Sequence, residues 1–153
     1  MLAGFNTARE TFMLPLETKR RYQSVLVVDD DPVSLEVACI ALECLGLTGV
    51  VTAAGGHDGI RAYVRMQPKP DLVICDLFMP DLDGIEFISA LGDRNFGGAL
   101  VLVTGGDLSM MQMASQLAES GYGLTVLAAI PKPLLPQTLA AALGLTPPQA
   151  GPQ

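Results

Sequence analysis

The chain has 153 residues, half of them hydrophobic and 16% charged, which is enough for one α/β domain with a complete core and too apolar for wholesale disorder. Nine basic residues against sixteen acidic ones give a formal charge of -7, which argues against a surface built to neutralise a nucleic-acid backbone. No apolar run approaches the roughly 18 residues of a membrane span, and the opening stretch lacks the pattern of a signal peptide. Cys39, Cys44 and Cys75, with no CxxC and a single histidine, read as buried thiols, so a reducing, cytoplasmic setting is expected.

Residues 1–22 form an N-terminal extension in which Thr7-Ala-Arg-Glu10 suits a capping box opening a short helix. The basic run Lys19-Arg-Arg21 reads as a solvated flank. Ser24-Val-Leu-Val-Val28 is a continuous β-branched apolar run, the pattern of a strand buried on both faces of a parallel sheet. Asp31 then Pro32 reads as N-cap and first helical residue, with an apolar stripe at Leu35, Cys39 and Leu42 that stops at Gly46.

A weaker strand is expected over 47–53 and a helix over 58–66, ended by Pro68 and Pro70. Asp71-Leu-Val-Ile-Cys75 is a second buried strand and delivers Asp76 at its carboxyl end; Asp81 to Gly84 is turn chemistry before a helix to Leu91. Ala99 to Val103 is a strand ending at Thr104, residues 108–120 are helical, 124–130 are a strand, and 136–143 are a last helix. The folded body thus spans 23–144, and 145–153 is a flexible Pro-rich tail. Five alternations of strand and helix predict an α/β fold with a five-stranded parallel sheet, doubly wound as (βα)5.

Ligands of such sheets bind outside the carboxyl ends of the strands. The residues there are Asp29 and Asp30, Asp76, Thr104 and Lys132. Three carboxylates converging on one crevice repel unless a cation joins them, and a small oxygen-rich site suits Mg²⁺. A carboxylate beside that metal can attack a phosphoryl group, while the metal, the hydroxyl and the ammonium offset charge on its equatorial oxygens.

Val25-Leu-Val-Val-Asp-Asp30, Asp71-Leu-Val-Ile-Cys-Asp76-Leu-Phe-Met-Pro80, Asp83-Gly84, Leu102-Val-Thr-Gly105 and Lys132-Pro133 together resemble the receiver domains of two-component response regulators, over about residues 24–143. The resemblance implies a CheY-like, flavodoxin-like fold. It makes Asp76 the phosphoacceptor, Asp30 a direct Mg²⁺ ligand, Asp29 a ligand through water, and the Phe78 main-chain carbonyl a further ligand. Thr104 becomes the switch hydroxyl and Lys132 the partner of the phosphoryl group, with a cis Lys132–Pro133 bond.

The chain departs from the family pattern at Ala129, where many receivers carry an aromatic switch residue, and in a longer stretch between Thr104 and Lys132. That stretch holds Met110, Met111 and Met113, read as core filler, and a Gly121-Tyr-Gly123 break. With Val126 to Leu134 it looks like receivers attached to cyclic-di-GMP phosphodiesterases. Phe78 and Gly106 flank the path of an attacking water and cannot orient one, so slow loss of the phosphoryl group is expected. His57 lies in a Gly-rich turn before a helix and reads as a surface bystander.

A haloacid-dehalogenase-like phosphatase would also open with Asp29-Asp-Asp31-Pro-Val33, but it needs an acidic pair beyond its lysine, and residues 133–153 contain none. A pseudo-receiver that binds partners without phosphorylation finds support only in Ala129. The expectation is therefore a stand-alone regulator, not an enzyme. A sensor histidine kinase or histidine phosphotransfer protein would phosphorylate it, and it would signal to an unidentified downstream protein.

Overall fold

The apolar runs assemble into one sheet. In the computed structural model, which describes residues 14–106 and 108–144, β1 (Val25–Val28), β2 (Val50–Ala53), β3 (Leu72–Asp76), β4 (Ala99–Thr104) and β5 (Thr125–Pro131) pair in parallel in the order β2-β1-β3-β4-β5. The helices are α1 (Leu16–Arg21), α2 (Pro32–Cys44), α3 (Gly56–Arg65), α4 (Gly84–Asp93), α5 (Leu108–Gln116) and α6 (Pro136–Ala142). The capping box at Thr7 and the tail 145–153 lie outside the described residues.

Side chains of each strand alternate between two cores. Val25, Val27, Leu72, Ile74, Val101 and Val103 join α2 and α6 on one face. Leu26, Val28, Val73, Cys75, Leu100 and Leu102 join α3, α4 and α5 on the other. Burial on both faces is why β1, β3 and β4 read as unbroken apolar runs rather than as alternations. On the α2 face the core extends below the sheet to Leu14 and Tyr22, which flank α1 and are 3% and 5% exposed, and the Leu14 N–H donates to the Leu45 carbonyl at 3.2 Å.

Several boundaries differ from the sequence reading. Strand β2 starts at Val50, because Leu47 closes the end of α2: its N–H donates to the Leu42 carbonyl, and Gly46 takes φ 82° to make that turn. Helix α3 starts at Gly56, so His57 sits in its first turn and not before it. Beyond Gln116 the helix of 108–120 becomes a π-helical turn, Leu117–Gly121, followed by Gly123 at φ 67°. Gly92 of α4 has no side chain where a Cβ would stand 2.3 Å from the Tyr122 ring, so the added segment is seated on α4.

Of the cysteines only Cys75 is buried; Cys39 is half-buried and Cys44 exposed. The inward stripe of α2 is Ala38, Ala41 and Leu42, which puts Cys44 on the outer side. The methionines divide similarly, Met111 in the core and Met113 at the surface.

Candidate functional site

The sheet reverses direction at β1: the chain steps outward to β2, then crosses back to β3. The carboxyl ends of β1 and β3 form the switch point where such folds bind ligands. Asp29 follows β1 and Asp76 closes β3, and both are nearly buried, at 5% and 4% exposure. Lys132, just past β5, is held beside β4 by its N–H, which donates to the Thr104 carbonyl at 2.8 Å. Its ammonium reaches Asp29 Oδ2 at 2.9 Å and Asp76 Oδ2 at 3.4 Å. The Lys132–Pro133 peptide is cis, as the resemblance implies.

The second oxygen of each carboxylate is also occupied. Asp29 Oδ1 accepts from the Asp31 N–H at 2.9 Å and Asp76 Oδ1 from the Phe78 N–H at 3.3 Å. Asp30 is exposed, yet one of its oxygens, one of Asp29 and one of Asp76 all lie within 4.8 Å of one another. Three carboxylates with one ammonium leave negative charge in excess, and hard oxygen donors at this spacing fit a small divalent cation.

Burial and the neighbouring Asp29 charge push the Asp76 carboxyl up to about 6, against the lowering influence of Lys132 and the Phe78 N–H. An apolar cavity of about 260 Å³, walled by Val27, Val37, Ile74, Val103 and Leu134, opens onto these groups. Burial alone would lower the Lys132 ammonium, but the Asp29 hydrogen bond and the two carboxylate charges outweigh it and lift it above its ordinary value. Behind Asp76, burial and then the Asp76 charge drive the Cys75 thiol well up, so it stays protonated and out of the chemistry.

Thr104 is buried at the same edge, its hydroxyl oxygen accepting from the Gly106 N–H at 3.0 Å. Phe78 is 45% exposed, and its ring lies against Gly106, where a Cβ would stand 2.7 Å from Phe78 Cε2. The two positions picked out from the sequence as flanking a water path therefore touch each other across the rim. Ala129 is exposed on β5.

Asp81 lies in the bend expected before α4, and its carboxylate also reaches α3, accepting from the Gly56 and His57 N–H groups, each at 3.1 Å. The available signal was indirect: Gly55 and Gly56 leave α3 without a capping side chain of its own.

Comparison with known proteins agrees with this geometry. Residues 25–143 match the family described as the response regulator receiver domain. The chain is 33% identical over 99 residues to a probable chemotaxis protein CheY of Rhizobium etli, covering 63% of this chain and 75% of that one. It is 37% identical over 84 residues to the probable transcriptional regulatory protein TcrX of Mycobacterium tuberculosis, covering 55% of this chain and 35% of the other, so it spans about a third of that regulator's length. A crystal structure of a response regulator from Colwellia psychrerythraea, 30% identical, superimposes with a TM-score of 0.67 over 80% of this chain and 94% of that one. By fold, strand-end residues and similarity, the chain belongs to the response regulator receiver domain family.

Proposed function

We propose that this receiver takes a phosphoryl group onto Asp76 from a sensor histidine kinase or a histidine phosphotransfer protein in the cytoplasm, and passes the signal on by contact with another protein. The observation that carries the proposal is the Asp76 carboxylate, nearly buried at the switch point between Lys132 and two further aspartates. Mg²⁺ is the fitting cation, with Asp29, Asp30, Asp76 and the Phe78 main-chain carbonyl as its holders; when bound it supplies positive charge for the carboxylates and the incoming phosphoryl oxygens.

At pH 7 a carboxyl with its midpoint at about 6 is mostly ionised, so Asp76 is available as a nucleophile. An Asp76 oxygen forms the new bond to phosphorus, and the N–P bond of the donor phosphohistidine breaks. The imidazole nitrogen keeps the electron pair and takes up a proton. The Lys132 ammonium and the Thr104 hydroxyl donate to equatorial oxygens, where charge is spread in the transition state. The modified site then biases a two-state equilibrium on the face of α5, β5 and α6. With Ala129 exposed there, the readout runs without an aromatic rotor at that position.

The test is incubation with acetyl phosphate, read by intact mass and peptide mapping. One acid-stable, base-labile adduct is expected on the peptide carrying Asp76, requiring Mg²⁺ and abolished by chelation. A protein that takes no adduct and binds no Mg²⁺ would be a phosphorylation-independent interaction module instead.

The Phe78 ring seated on Gly106 leaves neither position able to hold a hydrolytic water, so the phosphoryl group should persist. Phe78→Glu, which offers an oxygen to an approaching water, is expected to shorten its half-life by roughly tenfold or more. A half-life unchanged in that variant would show that the ring does not control water access.

A further inference from the structure

Asp81 belongs to the loop that follows the phosphoacceptor, residues 77–83, but its side chain serves a different element. Its two oxygens accept one bond each from the Gly56 and His57 N–H groups, two of the unpaired donors at the start of α3. The N-cap of α3 is Gly55 at φ 142°, which has no side chain to offer. The cap comes instead from 25 residues away in the chain. The His57 N–H bond, larger than the small opposing influence of burial, and then the Gly56 N–H hold the Asp81 carboxyl below its ordinary value, as expected for an anion at a helix start.

The approach is close enough to require glycine on the α3 side. A Cβ on Gly55 would stand 3.0 Å from Asp81 Oδ2, and one on Gly56 would meet Leu82 Cβ at 2.5 Å and the Leu82 carbonyl at 2.7 Å. Helix α3 is itself fixed to the core: Tyr63 is buried, and Gly59 lies where a Cβ would touch Val28 and Phe87 within 2.9 Å. The loop therefore fastens to a rigid neighbour. Its first residue is tied as well, the Leu77 N–H donating to the Val103 carbonyl at 3.1 Å and the Leu77 carbonyl accepting from the Gly84 N–H at 2.9 Å. Between these ties lie only Phe78, Met79 and Pro80.

We propose that Asp81 is a positioning residue for the phosphoryl site: by capping α3 from the acceptor loop it fixes the Phe78 main chain toward the cation pocket. The proposal rests on the Mg²⁺ site proposed above. A loosened loop binds the cation only in the fraction of molecules that hold the correct geometry, which weakens the apparent affinity by that fraction.

Calorimetric titration with Mg²⁺ tests this on wild type, Asp81→Ala, Asp81→Asn and Thr138→Ala. The last removes the hydroxyl that accepts from the Leu135 N–H at the start of α6 and serves as a cap lost elsewhere. Asp81→Ala is expected to raise the Mg²⁺ dissociation constant about two- to thirtyfold, the span of one lost cap. Asp81→Asn keeps one acceptor oxygen and turns an amide donor toward the second N–H, so it should raise the constant less than Asp81→Ala, and Thr138→Ala should lose thermal stability with its Mg²⁺ affinity unmoved. If the alanine variant does not fold, Asp81→Ser, with one acceptor on a shorter stem, should show a smaller rise. Unchanged affinity in the Asp81 variants while wild type binds Mg²⁺ would overturn the positioning role and leave a plain helix cap. Wild type that binds no Mg²⁺ would overturn the cation site and this inference together.

Discussion

A protein carrying Asp76→Asn will take up no phosphoryl group and will nonetheless be harder to unfold than wild type at pH 7 in the absence of divalent cations. The carboxyl is raised from 3.8 to about 6 in the fold by burial and then by Asp29. A raised carboxyl binds its proton more tightly when folded, so its stabilising contribution is complete below about pH 4 and is lost as pH rises through about 6. At neutral pH the ionised group is a liability of at most ~3 kcal/mol, and water at the mouth of the cleft reduces this to ~1–2 kcal/mol. Asparagine removes the charge and keeps an oxygen for the Phe78 N–H. Urea midpoints of the two proteins should therefore differ at pH 7 and converge toward pH 4. A variant less stable than wild type at pH 7 would refute the electrostatic account, and an adduct on the variant would refute Asp76 as acceptor.

Lys132→Ala should shift stability in the opposite direction. The ammonium is the cation that bridges Asp29 and Asp76, and removing one partner of a buried pair leaves charge without compensation. Lys132 is only partly buried, so the loss at pH 7 is expected at ~2–3 kcal/mol rather than at the upper end for interior pairs. Without the ammonium the Asp76 carboxyl is no longer pulled down and lies above its wild-type midpoint. The deficit is then widest above about pH 7 and closes as the Asp76 carboxyl protonates toward pH 4. Saturating Mg²⁺ should restore part of the loss. A deficit of the same size at pH 4 and pH 8.5 would point to lost packing of the lysine stem instead.

Much of this fold was legible because its central strands carry a strong signal. Val25–Val28, Leu72–Asp76 and Ala99–Thr104 are covered by helices on both faces, so their apolar runs admit few other readings, and the polar residue ending each run marks the crevice. The peripheral elements were harder to read. Leu47 is apolar enough to begin a strand, yet the closing turn of α2 claims it. Asp58 suggested a helix start, whereas α3 begins two residues earlier because Asp81 supplies its cap. The sequence singled out Phe78 and Gly106 separately, for what neither side chain can do to water; that the ring rests on the glycine is a matter of packing between two loops, which local pattern does not encode. Cys44 illustrates the same limit on α2, where composition suggested burial and helical phase decided for exposure.

The floor of the molecule bears on how far this receiver can be treated as an interchangeable part. Family likeness begins at Val25, but Leu14 and Tyr22, both upstream of that line, are wedged into the α2-side core, and the Leu14 N–H is tied to the last turn of that region through the Leu45 carbonyl. The stretch shared with relatives and the stretch that packs as a unit are therefore not the same. Transplanted into another regulator from Val25 onward, the domain would keep every residue at its strand ends and leave Leu14 and Tyr22 of its own interior behind.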